Sequence, residues 1–113
     1  MKQLKFAEPL PELVLNGSKT STWRINDKRG IEKNDQLSLR YDDGREFARA
    51  FVIDIKEITF GELSEKDKMG HESFVNDEAM YTTYSRYYNI TVTSETNLKI
   101  IRFKLVDKIG GNI

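Results

Sequence analysis

Apolar and polar residues alternate in several parts of the chain, and this period of two predicts β-strands. Between residues 35 and 41, Leu37, Leu39 and Tyr41 share one face. Residues 47–58 and 98–106 carry apolar side chains on both faces, which predicts strands that are covered on two sides, the second of them central. The predicted strands are residues 2–6, 20–25, 35–41, 47–58 and 98–106.

A hydrophobic stripe at roughly helical spacing predicts the main helix in residues 73–88, with either Ser73 or Asn76 as its cap. The stripe consists of Phe74, Met80, Tyr84 and Tyr87. Pro11 suits the first turn of an earlier short helix, and Asn16-Gly17 supplies its left-handed end. The other segments are predicted as a loop (26–33), a tight hairpin (42–45), a short helical turn (60–67) and a frayed tail (108–113); residues 89–97 are assigned no element.

Strands joined by hairpins, with few helices, predict an α+β fold, namely a small antiparallel β-barrel with flanking short helices. The length of 113 residues fits one domain that spans residues 1–113.

Composition excludes several classes of function. The chain has no cysteine and one histidine, so disulfides and cysteine-based or histidine-rich metal sites are excluded, and we expect no metal or other cofactor. No run of about 18 apolar residues is present to cross a membrane. Residues 1–6 lack the apolar run of a signal peptide. We therefore expect a cytoplasmic protein that does not bind membranes, with a monomer as the default state.

The net charge is zero, but the acidic residues are concentrated in one segment. Residues 54–80 contain eight acidic and three basic side chains, so the remaining residues have an excess of positive charge. An ordinary solvated surface of mixed charge accounts for this, and the imbalance is smaller than in dedicated nucleic-acid binders. The distribution also allows a basic face, made by Lys19, Arg24, Lys28, Arg29 and Lys33.

Residues 17–24 combine a glycine turn, hydroxyl groups and two cations at the point where a helix should give way to a strand. The segment is not a P-loop, because the second glycine and the following helix are missing. In a regular strand Lys19 and Thr22 would point to opposite faces, but a turn at its start can bring Lys19, Thr22 and Arg24 together. Alternatively, Lys19 and Arg24 are solvated surface charges.

Glu72 lies just before the main helix, which gives its carboxylate two alternative roles. It either accepts hydrogen bonds from the first N–H groups of that helix, or it projects into a cleft and pairs with Lys19. His71 is expected to be a surface or packing residue rather than a catalyst. Trp23 is expected in the core or in a pocket wall. The tyrosines of residues 81–88 are expected to pack the helix, with stacking on a base as the alternative.

Residues 16–24 resemble the Gly-x-Lys-x-x-x-x-Arg signature of the ASCH domain family, which is related to the PUA fold, with Gly17, Lys19 and Arg24 at the signature positions. Residues 70–74, followed by an acidic helix and a Tyr-Tyr pair, resemble the second block of that family. The strand of residues 99–106 resembles its closing strand, so the resemblance covers about residues 5–107.

This resemblance implies a small β-barrel with a cleft for RNA or modified nucleosides. Small single-domain members include amidohydrolases that deacetylate N4-acetylcytidine, which implies Lys19 and Glu72 as catalytic residues and Thr22 as the nucleophile. His71 has no counterpart in those amidohydrolases. The residues expected to bind the ligand or RNA are Gly17, Ser18, Trp23, Arg24, Lys28 and Arg29. Two alternatives stay open: a non-catalytic RNA-binding module, and a regulatory domain that senses a small ligand in the same cleft.

Overall fold

The computed structural model describes residues 1–109, which fold around a five-stranded sheet. The strands are β1 (Lys2–Phe6), β2 (Ser21–Arg24), β3 (Gln36–Tyr41), β4 (Glu46–Thr59) and β5 (Asn97–Lys108). Their order in the sheet is β1-β3-β4-β5-β2. β1 runs parallel to β3, whereas β3–β4, β4–β5 and β5–β2 are antiparallel pairs. The sheet curls into a half-barrel with short helices, which confirms the predicted α+β fold.

Three short α-helices and one 3-10 turn flank the sheet. The helices are α1 (Leu10–Leu15), α2 (Glu65–Lys68) and α3 (Asp77–Tyr88), and the 3-10 turn is Phe60–Glu62. Gly17, with φ of +87°, takes the predicted left-handed conformation after α1. The main helix begins later than residue 73, because Asn76 is its cap: its Oδ1 accepts a hydrogen bond from Ala79 N at 2.8 Å. Of the two candidates, Ser73 is therefore not the cap.

β5 lies between β4 and β2 and contributes to two hydrophobic cores. Ile101 and Phe103 join the core formed with α1, β1, β3 and β4, while Leu98 and Ile100 join the core beneath α3. Neighbouring residues of a strand point to opposite faces, so β5 is covered on both sides. The prediction of a central, two-sided strand is confirmed.

β4 departs from the predicted alternation. The prediction placed Phe47, Arg49 and Ile53 on one face, but Phe47 is buried while Arg49 and Ile53 are exposed. Register shifts occur between Arg49 and Ala50 and again between Val52 and Asp54. A β-bulge adds a residue to one strand and changes which face the following side chains reach, so the prediction was wrong here.

The frayed tail was predicted to begin at residue 108, which is too early. Lys108 is the final residue of β5, and Ile109 N donates a hydrogen bond to Phe47 O at 2.9 Å. The rest of that prediction, residues 110–113, lies outside the described residues. In residues 1–109, every helix is too short or too polar to span a bilayer.

Candidate functional site

The turn between α1 and β2 directs Lys19 into the protein interior. Lys19 N donates to Leu13 O at 2.9 Å, which ties the turn back to α1. The side chain is only 2% exposed, and its Nζ donates to Glu72 Oε2 at 2.6 Å. Lys19 is therefore not a solvated surface charge, and its charge is balanced by a residue 53 positions away in the chain.

Glu72 reaches Lys19 because the segment before it docks on the start of β2. Gly70 O accepts hydrogen bonds from Thr20 N at 2.8 Å and from Ser21 N at 3.1 Å. Gly70 has φ of +75°, and a Cβ at this position would lie 2.0 Å from Thr20 Oγ1. Only glycine allows this approach without displacement, so Gly70 sets the distance between the two halves of the site.

Arg102 of β5 holds the same segment from the other side. Its guanidinium donates to the main-chain oxygens of Lys66, Asp67 and Met69, at 2.8, 3.2 and 3.0 Å respectively. These carbonyls lie in and just after α2, where the end of a helix leaves acceptor capacity for side chains, although Lys66 O also accepts a hydrogen bond from Met69 N at 3.3 Å. β5 thus fixes the path of the chain from α2 into Gly70 and Glu72.

His71 is buried between the aromatic core and Glu72. Its side chain is 1% exposed and stacks on Trp23, with ring centroids 3.8 Å apart and planes inclined by 14°. Nδ1 lies 3.0 Å from Glu72 O and 3.3 Å from Glu72 Oε2. Nε2 lies 3.0 Å from the hydroxyl of Tyr84. His71 is a packing residue, but both of its ring nitrogens also have polar partners.

Burial controls the ionisation of Lys19 and His71. Burial lowers the pKa of Lys19, although the Glu72 carboxylate opposes this. Burial and the Lys19 charge lower the pKa of His71 to about 4. Burial alone would raise the pKa of Glu72, but the charges of His71 and Lys19 hold it below its usual range. Because His71 is neutral near pH 7, Lys19 is the partner that stabilises the Glu72 carboxylate there.

A cavity of about 310 Å³ opens beside this pair. Thr22 and Glu72 both line it, so the structure brings these two residues to one space. Lys19 does not line this cavity, but its Nζ is hydrogen-bonded to Glu72, which does. Within residues 1–109, no hydrogen bond joins Lys19 to Thr22. The aromatic rings of the lining belong to Phe6, Trp23, Tyr84, Tyr87 and Tyr88.

A second cavity, of about 450 Å³, extends toward the start of α3. It shares Trp23, His71 and Glu72 with the first cavity. Glu72 therefore faces two open spaces, and its side chain is 27% exposed.

Arg24 connects the two edges of the sheet. It belongs to β2, and its Nη2 donates to Lys5 O of β1 at 3.2 Å. Its guanidinium carbon also lies 5.3 Å from the centroid of the Phe6 ring. Arg24 lines the 310 Å³ cavity as well, so one side chain contributes both to closing the half-barrel and to the cavity wall.

The other predicted ligand-binding residues lie elsewhere, apart from Trp23, which is both core and cavity wall. Gly17 and Ser18 are exposed in the turn after α1, and Lys28 and Arg29 are exposed in the loop between β2 and β3. None of these four is among the residues that line the two cavities described above.

The sequence analysis did not predict several of the lining residues, among them Phe6, Asp42 and His71. The tyrosines predicted to pack α3 do so in part: Tyr84 is buried, and Tyr88 accepts a hydrogen bond from Ile25 N at 3.2 Å. Tyr87 is 65% exposed at the cavity. Across residues 1–109, no group of three or more His, Asp or Glu side chains is arranged to hold a metal ion.

Solved structures with the same architecture include ASCH domains. The ASCH domain of Lactobacillus crispatus JV V101 superposes with a TM-score of 0.67 at 16% identity, covering 86% of this chain and 70% of that one. The ASCH protein of Zymomonas mobilis superposes with a TM-score of 0.64 at 10% identity, covering 90% and 65% of the two chains. This chain has the ASCH fold.

A further ASCH-like structure is a DUF984 protein of Enterococcus faecalis V583, with a TM-score of 0.78 at 14% identity, covering 96% of this chain and 77% of that one. No protein-family model matches the chain, and no curated protein does. The ASCH fold expected from the sequence is confirmed. Identities this low establish the fold.

Proposed function

We propose that this ASCH-fold protein is an amidohydrolase that removes the acetyl group of N4-acetylcytidine or a closely related acylated nucleoside. The observation that carries the proposal is the ion pair between buried Lys19 and partly exposed Glu72, which opens through Glu72 onto a cavity that Thr22 also lines. A hydroxyl as nucleophile, a desolvated amine as its base and a carboxylate that orients the base are a set that can carry acyl transfer through a covalent intermediate.

The cavity suits a nucleoside in size and lining. Its volume of about 310 Å³ is in the range of pockets that hold small organic ligands. Tyr87, which is 65% exposed, supplies an accessible aromatic ring on which a pyrimidine can stack, and buried Trp23 lies in the wall beside it. Arg24 and Asp42 supply a cation and a carboxylate for the polar edges of base and sugar.

Acylation starts from the pair in its neutral form, although the free site holds it charged, because Lys19 keeps the pKa of Glu72 low. A substrate that fills the cavity removes water from Glu72, and this favours transfer of the proton across the 2.6 Å between the two groups, since burial already lowers the pKa of Lys19. Neutral Lys19 then removes the proton of Thr22 Oγ as Oγ bonds to the acetyl carbon. Arg24 stabilises the oxyanion. As the carbon–nitrogen bond breaks, Glu72 returns its proton to N4, and cytidine leaves acetylated Thr22 beside a charged Lys19–Glu72 pair.

Deacylation uses the same groups in reverse order. The Glu72 carboxylate takes a proton from water while the hydroxide attacks the acetyl carbon. Lys19 protonates Thr22 Oγ as the ester bond breaks. Acetic acid leaves and loses its proton to solvent, so Thr22 is regenerated and the pair is again neutral. The cycle requires Thr22 Oγ to come within reach of Lys19 Nζ when substrate is bound, since catalytic hydrogen bonds often tighten only then.

Turnover of N4-acetylcytidine by the purified protein tests the proposal, with cytidine and acetate measured by chromatography. Thr22→Val keeps the side-chain shape but lacks the hydroxyl, and we expect it to lower kcat by at least about 10²-fold. Thr20→Val is the matched control, because Thr20 is exposed and outside the cavity lining.

No turnover by a well-folded wild-type protein would refute the proposal for this substrate. Binding of N4-acetylcytidine without turnover would instead favour the ligand-sensing alternative. Equal loss in the Thr22 and Thr20 variants would remove the argument for Thr22 as the nucleophile.

RNA binding without catalysis is the second candidate, because exposed cations lie on the loop after β2. In the described part of the chain, no carboxylate is within ion-pair distance of Lys28 or Arg29. Such side chains release counterions when they contact phosphates, so RNA affinity should fall steeply with salt. A Lys28→Ala, Arg29→Ala variant should weaken binding of single-stranded RNA and flatten its salt dependence. Unchanged affinity would remove this candidate.

A further inference from the structure

We propose that His71 is a positioning residue that holds Glu72 against Lys19, and that Tyr84 fixes His71 in the form required to do so. The proposal rests on the role proposed above for the Lys19–Glu72 pair. It assigns a function to a buried histidine that the reaction itself does not use.

A polar chain of contacts runs from Tyr84 through His71 and Glu72 to Lys19, with the hydrogen bond from His71 made to the main-chain oxygen of Glu72. It runs from the Tyr84 hydroxyl to His71 Nε2 at 3.0 Å, from Nδ1 to Glu72 O at 3.0 Å, and from Glu72 Oε2 to Lys19 Nζ at 2.6 Å. His71 Nδ1 also lies 3.3 Å from Glu72 Oε2. Both groups near Nδ1 are acceptors, so we assign the ring proton to Nδ1. Nε2 is then an acceptor, and the Tyr84 hydroxyl donates to it.

The ring is held rigidly, which is what positioning requires. It stacks on Trp23 at 3.8 Å, and its side chain is 1% exposed, so it cannot rotate without disturbing the core. Glu72 by contrast borders two cavities and is partly exposed. Without the contact to His71, its main chain and carboxylate lose a fixed neighbour, and the carboxylate can turn toward either cavity.

The surroundings of His71 favour the neutral ring. The charged groups that act on it are Lys19, Glu72 and Arg24, and Tyr84 meets it from α3. A protonated ring would place a second positive charge beside Lys19 and compete with it for Glu72. Burial and Lys19 lower the pKa of His71 to about 4, in agreement with the neutral donor role. Burial raises the pKa of Tyr84 well above its usual value, so its hydroxyl keeps the proton that it donates.

Two substitutions separate positioning from packing. His71→Phe keeps a ring that can stack on Trp23 but removes both hydrogen bonds. His71→Asn loses the ring but places an amide N–H on Cγ, where Nδ1 is attached. We expect His71→Phe to lower kcat about tenfold or more with KM within about twofold, and His71→Asn to recover a substantial part of that loss.

Tyr84→Phe is the second test, because it removes only the hydroxyl that fixes the tautomer. We expect it to lower kcat severalfold. The matched control is Tyr81→Phe, since Tyr81 lies on the same helix but packs edge-on against Phe60 at 6.1 Å, outside the polar chain. A pure packing role for His71 predicts the opposite order, with His71→Phe close to wild type and His71→Asn impaired, and that result would overturn the proposal.

A readout that needs no substrate separates this proposal from the proposed activity. NMR titration of the Lys19 ammonium group should give a lower pKa in His71→Phe, by about one unit, because Glu72 no longer stays beside it. Tyr84→Phe should shift it in the same direction, and Tyr81→Phe should not. If His71→Phe fails to fold, Tyr84→Phe carries the test.

An unchanged Lys19 pKa in folded His71→Phe or Tyr84→Phe would refute positioning, whether or not the protein hydrolyses anything. A shifted Lys19 pKa with no turnover of N4-acetylcytidine by any form, wild type included, would refute the proposed activity and leave the positioning role intact.

Discussion

Lys19 and Glu72 contribute unequally to their ion pair. Lys19 is 2% exposed, so its charge has no access to water if the partner is lost. Glu72 is 27% exposed, so its carboxylate can recover hydration. Removal of one member of a buried pair is costly chiefly for the charge that stays behind. The buried lysine is therefore the side of the pair that depends on its partner.

Glu72→Gln should consequently destabilise the protein more than Lys19→Met. At pH 7 we expect Glu72→Gln to lower the free energy of unfolding by about 2 kcal/mol, because the amide still accepts one hydrogen bond but carries no charge. Lys19→Met fills a similar volume and should cost about 1 kcal/mol or less. Urea unfolding followed by circular dichroism measures both.

The difference between these two variants should shrink at alkaline pH, where an unpaired buried lysine can lose its proton. If Lys19→Met proves the more destabilising change at pH 7, then Lys19 is not the member of the pair that depends more on its partner.

The ASCH resemblance predicts Lys19, Thr22 and Glu72 as site residues, whereas spacing alone favours Lys19 as a solvated surface charge. The role of His71 could not be predicted. Its acceptor partner is the adjacent residue and its donor partner is 13 residues later in α3, so no local period marks the three as a unit. The stack on Trp23 joins residues 48 positions apart, and only tertiary packing creates it.

At the scale of elements, the path from α2 to α3 carries Glu72, and the site depends on how closely this path approaches β2. Two main-chain hydrogen bonds at Gly70 and three from Arg102 hold the path in place. A Cβ at Gly70 would lie 2.0 Å from Thr20 Oγ1, so a side chain there requires Thr20 to move.

Gly70→Ala should therefore be strongly destabilising. The substitution combines an unfavourable positive φ with a Cβ 2.0 Å from Thr20 Oγ1, and we expect a loss of about 3 kcal/mol in unfolding free energy. Gly44→Ala is the matched control, because Gly44 also has positive φ but has nothing within 4 Å of a Cβ; about 1 kcal/mol is expected there.

A second-site change tests the cause of this loss. Thr20→Ala removes the Oγ1 atom that the new methyl group would meet, so the Thr20→Ala, Gly70→Ala double variant should recover more than 1 kcal/mol relative to Gly70→Ala. Additive effects of the two substitutions would show that the close approach is not the reason.

The positions of the strands were largely predictable from the sequence, whereas the pairing between strands was not. Alternation placed five strands, and the two apolar faces of residues 98–106 identified β5 as central. The parallel pairing of β1 with β3 was not predicted, because it joins residues about 35 positions apart. The alternation of apolar and polar residues shows which face of the sheet a side chain occupies, but not which strand lies alongside. The bulges of β4 were missed for the same reason, because they arise from pairing with β5.

For the molecule as a whole, His71 makes stability depend on pH in the mildly acidic range. Its pKa in the folded protein is about 4, below its ordinary value of 6.5. Between these pH values the unfolded chain binds a proton that the folded protein does not, so the free energy of unfolding falls as the pH falls from 6.5 to about 4. Above pH 6.5 the ring is neutral in both states, and His71 causes no loss of stability. The paired carboxylates, whose pKa values are lowered, act at still lower pH.

Unfolding free energies measured from pH 7 down to pH 4 should therefore decline, with a total loss of at most about 3 kcal/mol. The His71→Phe variant lacks the titrating group and should have a nearly flat profile over the same range. A wild-type profile that is equally flat would mean that His71 is not held neutral by the fold.

The position of β5 has a consequence for protein synthesis. β2, which carries Thr22 and Arg24, pairs with β5, and β5 begins only at Asn97. While a ribosome is still making residues 97–108, β2 has no strand to join, and Trp23 lacks the Leu98 and Ile100 side chains of its core. β1, β3 and β4 can pair earlier, because all their strand partners apart from β5 precede residue 60. The candidate site is thus among the last parts of the sheet that a nascent chain can complete, and a chain that stalls before β5 would expose the aromatic wall of the cavity to chaperones and to other nascent chains.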